Sequence, residues 1–223
     1  MGTTTQVEAP LSRVARRKAK TNQRLLEVAR KLFSEKGIYW GKVEDITEMA
    51  DLGKGTFYKY FDSKEAIIRA LLEEGLSELL GQTEHAVEQA SSNSKILSAM
   101  IAARVDFFLT QPDYLLFLHQ IRGLMQLRVD SAHELCEVYD IHLRRLAQLV
   151  KPAIGTSGSI KARDLATAIA SYTSGLLTYH ALFEGSDAMT HRRDHFVDML
   201  ERSLQALLKT GNGSSKPARS RRG

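Results

Sequence analysis

The apolar positions of this chain recur at i, i+3, i+4, i+7 spacing, the face a helix presents, and no stretch offers a run of strands. Leu25, Val28, Ala29, Leu32 and Phe33 open the pattern. It stops at Gly37, a residue type that takes a left-handed helix end at little cost, so this helix is about four turns long. Val43, Ile46, Met49 and Ala50 form a shorter stripe. The chain then turns through Asp51, Leu52 and Gly53, and a third short helix begins near Lys54. Asp62 and Glu65, at capping-box-like spacing, open a long helix from about Ser63 to Gln89. Further helices are predicted over 95–109, 113–128 with a break at Gly123, 132–151 closed by Pro152, 160–183 and 190–209. The polar link Gly155–Ser159 separates the last two from the rest. The fold class is therefore all-α: an N-terminal three-helix domain with a helix-turn-helix over 21–65 and a larger C-terminal helical domain over 66–210. A basic flexible arm (1–20) precedes them and a disordered basic tail (211–223) follows.

Charge divides along the same lines. Residues 1–64 carry 13 Lys and Arg against 8 Asp and Glu, residues 65–208 carry 13 against 18, and residues 209–223 carry 5 against none. Basic character thus sits at the two ends, where a polyanion would be attracted, and the middle would repel one. A cluster of Arg13, Arg16, Arg17, Lys18 and Lys20 precedes the first helix. It reads either as an arm that follows a nucleic-acid backbone or as a solvated extension.

The third helix has the most telling chemistry. Leu52 and Phe57 read as its buried posts, while Lys54, Thr56, Tyr58, Lys59 and Tyr60 are left for the outer face. Phenol and hydroxyl groups donate well to phosphate, lysine can donate to guanine O6 and N7, and Gly55 would let the backbone come close to DNA. Spacing alone also allows an ordinary three-helix subdomain with solvated lysines.

The run Gly53-Lys54-Gly55-Thr56-Phe57-Tyr58-Lys59-Tyr60-Phe61-Asp62-Ser63-Lys64-Glu65, preceded by Val43-Glu44-Asp45-Ile46 and Ala29-Arg30-Lys31-Leu32-Phe33, closely resembles the tetracycline-repressor (TetR) family of bacterial transcription regulators. The likeness covers roughly residues 20–67. It implies Lys54 and Lys59 as base readers and Thr56, Tyr58, Tyr60 and Lys64 as phosphate contacts, with Lys64 at the start of the fourth helix. Four positions depart from the family pattern, in three places. Gly41 and Lys42 replace two threonines, so a cation stands where a hydroxyl would cap. Asp51 takes the place of the turn glycine, and Gly53 that of a serine cap, which it replaces less strongly. Trp40, just before the second helix, reads as a packing residue at the domain edge.

The resemblance further implies a homodimer, a repressor action by occupancy of a palindromic double-stranded DNA site, and release by a small-molecule effector. The effector pocket is expected among the central helices from Phe107, Phe108, Phe117, His119, Gln120, Arg122, Met125, Tyr139, Tyr172 and Tyr179. Mostly apolar walls with a few polar groups suit a lipophilic or aromatic compound. Arg122, if it points inward, would favour an anionic head. The dimer interface is expected from Leu165, Ile169, Tyr172, Leu176, Phe196, Leu200 and Leu204, since stripes on the last two helices are wide enough for both a core and a partner.

Enzyme chemistry is not expected, nor a cofactor or metal. Gly155-Thr156-Ser157-Gly158 misplaces the second glycine of a nucleophile elbow, and Asp130-x-x-His133 is a solitary motif. His191 and His195, with Asp187, Asp194 and Asp198, read as a solvated polar face. Cys136 reads as a buried core thiol. One cysteine, no apolar run of membrane-spanning length and no signal-like start point to a cytoplasmic protein without membrane association. A DNA-binding architectural protein without an effector is the alternative reading, and a helical enzyme or carrier the third.

Overall fold

The computed structural model describes residues 12–126, 130–155 and 160–209. Every regular element among them is helical: α1 (Arg13–Lys36), α2 (Val43–Met49), α3 (Lys54–Phe57), α4 (Lys64–Glu88), α5 (Ile96–Thr110), α6 (Pro112–Leu124), α7 (Asp130–Ile154), α8 (Ala162–Phe183), α9 (Ser186–Thr190) and α10 (Arg193–Lys209), with a 3-10 turn at Asn93–Lys95. Two compact units divide at Leu71 and Leu72, inside α4.

In the N-terminal unit the stripe Leu25, Ala29, Leu32 and Phe33 of α1 is fully buried with Ile46, Ala50, Phe57 and Ile67. Burial of such side chains contributes about 1.5–3 kcal/mol each. α1 starts at Arg13, eight residues ahead of Thr21, so residues 13–20 of the expected flexible arm are helix, while residues 1–11 lie outside the described residues. Ser12 Oγ accepts from Ala15 N–H at 3.2 Å and caps it. The run Arg-Val-Ala-Arg-Arg-Lys-Ala-Lys consists mainly of strong helix formers. Such a stretch, exposed on nearly all sides, has no apolar stripe for periodicity to detect. α4 is capped by Ser63, whose Oγ accepts from Ala66 N–H at 3.2 Å, one residue beyond the expected Asp62.

In the C-terminal unit α5 is buried nearly all round through Ile96, Leu97, Met100, Ile101, Val105, Phe107 and Phe108, as a central helix must be. α7 packs along α8, α10 lies against α5 and α8, and α6 against α8. α6 ends at Leu124, close to the Gly123 expected to interrupt it, and α7 runs past Pro152 to Ile154. The final expected helix, 190–209, is α10, which starts at Arg193, and the short α9 that precedes it was not expected. The Gly155–Ser159 link, apart from Gly155, and the basic tail lie outside the described residues.

Candidate nucleic-acid interface and effector cluster

α3 is four residues long and its geometry is set at both ends. Asp51 takes φ 52°, the one non-glycine positive φ among the described residues, and so turns the chain as a glycine would. Gly53 supplies an extended N-cap whose carbonyl accepts from Thr56 N–H at 2.8 Å. Phe57 is fully buried, with Phe61 at 5.8 Å and Tyr58 edge-on at 5.4 Å between ring centroids. Leu52, the other expected post, is only half-buried. With Phe57 inward, the outer face is left to Lys54, Gly55, Tyr58 and Lys59, all exposed, and to the half-buried Thr56 and Tyr60. Nothing lies within 4 Å of a Cβ built on Gly55, so the chain's own packing does not demand glycine there.

The basic side chains of this face are held differently. Lys54 Nζ pairs with Glu44 at 2.5 Å in solvent, which raises the lysine pKa and lowers the carboxyl. Lys42 is exposed, and its N–H donates to Asp45 Oδ2 at 3.0 Å. Its ammonium has no acceptor, so only this half of a capping box can form at α2. Lys64 corrects the expected assignment. Its Nζ donates to the carbonyls of Ile38 at 2.7 Å and Gly41 at 3.0 Å, with that of Tyr39 at 3.5 Å. That ammonium fastens the loop between α1 and α2 and is spent on it.

The same loop explains Gly41. A Cβ there would stand 2.9 Å from the Phe33 ring, so the threonine of the family pattern could not be accommodated without moving the core. Trp40 is 80% exposed and Tyr39 64%. Trp40 is thus a displayed aromatic, not a packing residue, because the tie from Lys64 draws the neighbouring carbonyls inward. A groove of about 430 Å³ runs between the first turns of α1 and the end of the α3 segment, lined by Ala15, Lys18, Ala19, Asn22, Lys59 and Tyr60. Asn22 was not identified from the sequence. It lies within α1 ahead of Leu25, the first position of the apolar stripe.

In the C-terminal unit the expected pocket residues separate. Phe107, Phe108 and Phe117 are fully buried and fill the core with Tyr114: Phe107 stands edge-on to Phe108 at 5.4 Å and to Tyr114 at 5.6 Å. His119 is exposed, Tyr172 is 49% and Tyr179 59% exposed, and Gln120 and Met125 are half-buried. Arg122 and Tyr139 do come together. Arg122 Nη2 donates to Ser174 Oγ at 2.5 Å and to Tyr139 Oη at 3.3 Å.

Beside them lies what the sequence reading missed: Arg104, 1% exposed, with Nη1 at 3.3 Å from Nε2 of the equally buried His142. Arg104 follows Met100 and precedes Phe108 by one helical turn each, so a cation on the buried stripe of α5 was a legible signal. Cys136 is exposed, against expectation; its Sγ lies 3.8 Å from the Met125 carbonyl.

Of the expected interface residues, Leu165, Ile169, Phe196, Leu200 and Leu204 are buried within the single chain. They face its own core, which corrects that assignment. Tyr172 stays exposed and Leu176 half-buried, on a stripe of α8 that continues through Gly175, Tyr179 and Phe183. Asp194 and Asp198 pair with Arg193 at 2.8 Å and Arg202 at 2.7 Å, and among the described residues no group of three metal-ligating side chains assembles. The side chain of Asp187, Asp130's, and Thr156–Gly158 lie outside the described residues. No helix among the described residues is long and apolar enough to cross a membrane.

Residues 25–71 match the family model described as bacterial regulatory proteins, tetR family. The chain is 39% identical over 69 residues to the HTH-type transcriptional repressor DhaR of Mycobacterium sp. (strain GP1), covering 31% of this chain and 35% of that protein. It is 32% identical over 77 residues to the HTH-type transcriptional repressor KstR2 of Rhodococcus jostii, covering 34% and 38%. The matches thus span little more than a third of those relatives' length. The crystal structure of FadR from Bacillus subtilis in complex with stearoyl-CoA superposes with a TM-score of 0.67 over 85% of this chain and 98% of that one, at 18% identity. That likeness extends the shared fold to the C-terminal unit.

Proposed function

Through residues 25–71 the chain belongs to the tetR family of bacterial regulatory proteins, and from that premise we propose that it is a homodimeric DNA-binding transcriptional regulator, a repressor that a small-molecule effector releases from its operator. The observation that carries the reading is the polar outer face of α3 over a fully buried Phe57. Lys54 and Lys59 would read base edges, and Thr56, Tyr58 and Tyr60, with Lys42 at the start of α2, would hold phosphates. Lys18 and Asn22 share the groove with Lys59 and Tyr60, which supports a phosphate role for the first turns of α1.

A two-fold dimer would present two such faces to successive major grooves about 34–36 Å apart. The exposed α8 stripe Tyr172, Gly175, Leu176, Tyr179 and Phe183 supports a partner contact: small and apolar groups of one sign of polarity are left in water by the single chain. For release, the effector must bind the non-binding conformation better by about 5.5 kcal/mol to swing the population from 1:99 to 99:1. Selection from a random duplex library, followed by sedimentation of the bound species, tests the proposal. A palindromic site bound by two chains is the expected result. A flat sequence preference would give the architectural reading instead, and a monomer at micromolar concentration would remove the dimer.

A further inference from the structure

Arg104 and Arg122 belong to one side-chain cluster of the C-terminal unit, and among the described residues no carboxylate pairs with either. Arg104 of α5 is 1% exposed; its Nη1 approaches His142 Nε2 of α7, its guanidinium carbon lies 5.9 Å from the Phe108 ring centroid, and its Nε, fully buried, has no hydrogen-bond partner. His142 is held neutral: burial first, then the charge of Arg104, push its pKa down to about 3, against a weak opposing pull from the Leu76 carbonyl. Nε2 is therefore the acceptor toward Arg104 and Nδ1 carries the proton. That Nδ1–H lies toward the Leu76 carbonyl but closes no hydrogen bond of normal geometry with it.

The Tyr139 ring stands 6.2 Å from that of His142, and its Oη accepts from Arg122 of α6. Ser174 of α8 accepts from Arg122 and gives its own proton to the Ala170 carbonyl at 2.6 Å. Arg122 is near enough that its charge depresses the pKa of Arg104, after burial and against Tyr139, to about 10. Four helices thus converge on two guanidinium groups whose neighbours are neutral, and the donors left unused are both N–H groups.

A cation buried without its counter-charge is among the costliest arrangements a core can hold, and a well-packed apolar replacement is usually neutral or stabilising. A fold that needed only packing at this place would be served by methionine. We propose that the cluster is built to receive the missing charge from outside: Arg104 and Arg122 bind the carboxylate of an organic acid whose apolar body occupies the surrounding helices. This rests on the effector-sensing reading above and specifies the chemical class of effector.

The test uses the full chain, its selected DNA duplex and three matched series: straight-chain and aromatic carboxylic acids, their methyl esters, and their coenzyme A thioesters. The acids are expected to raise the melting temperature and release DNA, and the esters to do neither. Arg104→Met and Arg122→Met should each weaken the acid at least about tenfold, about 1.4 kcal/mol, while unliganded Arg104→Met melts no lower than the parent chain. Esters that act as well as acids would leave sensing intact and overturn the anionic head. So would thioesters acting alone with an affinity indifferent to both substitutions, because the anion then recognised is a phosphate bound elsewhere. An unliganded Arg104→Met that melts well below the parent, with acid affinity unchanged, would make Arg104 a structural strut. Silence from every series in both assays would remove the sensing reading together with this one.

Discussion

The cations beside α3 in the N-terminal unit and Arg104 inside the C-terminal unit are kept in opposite ways. Lys54 faces Glu44 in open solvent, and Lys42 and Lys59 are exposed. An exposed ammonium can exchange a carboxylate for a phosphate at little cost, since both pairings are solvated and worth at most about 1 kcal/mol. Arg104 has no acidic partner among the described residues to give up, and at 1% exposure it is out of reach of solvent. The first arrangement suits a polyanion met at a surface and released by salt; the second suits a single charge taken out of water. Lys64 belongs to neither, because its three donors serve the backbone of the α1–α2 loop.

The largest effect that would break this contrast lies beneath the exposed face. Phe57→Ala leaves a cavity in the smaller unit and should cost about 3–5 kcal/mol. Denaturant titration by circular dichroism should show the N-terminal unit unfolding early and DNA binding lost. If DNA is bound as before, α3 is not the reading element.

Lys64→Met sharpens the distinction between a structural and a phosphate-binding lysine. Losing charged hydrogen bonds to two buried carbonyls should cost about 1.5–3 kcal/mol of stability, while the slope of log binding constant against log salt stays as in the parent. Lys42→Ala should do the reverse, leaving stability alone and lowering the slope by about one unit. Fluorescence anisotropy at several salt concentrations separates the two, and exchanged outcomes would exchange the roles.

On the C-terminal side the neutral His142 gives a pH signature. Its folded pKa of about 3 lies below the ordinary 6.5, so between those values the unfolded chain binds the extra proton. This contribution to stability is complete above pH 6.5 and is lost as the pH falls toward 3, by up to about 1.4 kcal/mol per pH unit. Urea midpoints at neutral and mildly acid pH should show a loss in the parent that His142→Phe largely abolishes. Equal slopes would mean that the imidazole is charged or reaches water.

The smallest effect on stability is the most pointed for DNA. Gly55→Ala adds a methyl group to open space and should stabilise the unit by about 0.5–1 kcal/mol through helix propensity. If the backbone at 55 approaches DNA closely, the more stable variant binds it more weakly. Binding as tight as the parent's would show that no close approach exists.

Much of this was open to reading because it depends on neighbours in sequence. The stripe Leu25 to Phe33, the Asp51 turn and the inward Phe57 follow from spacing and backbone preference, and α4 and α5 lie within a residue of where periodicity and capping put them. The polar start of α1 escaped, since a helix bathed in water leaves no apolar trace, and so did the place of Trp40, which depends on a tie made by a residue 24 positions later in the chain.

By itself, then, the sequence determined the all-helical architecture, the helix-turn-helix and the outward residues of α3, because each rests on contacts within one turn or one short connection. Tertiary structure decided the rest: that Lys64 closes a loop, that Leu165, Phe196 and Leu204 seal their own core, and that Arg104, Arg122, Tyr139, His142 and Ser174, spread over four helices, form one cluster. Burial and pairing at those positions are set by elements distant in sequence, and local periodicity records which face of a helix is apolar but not what that face meets.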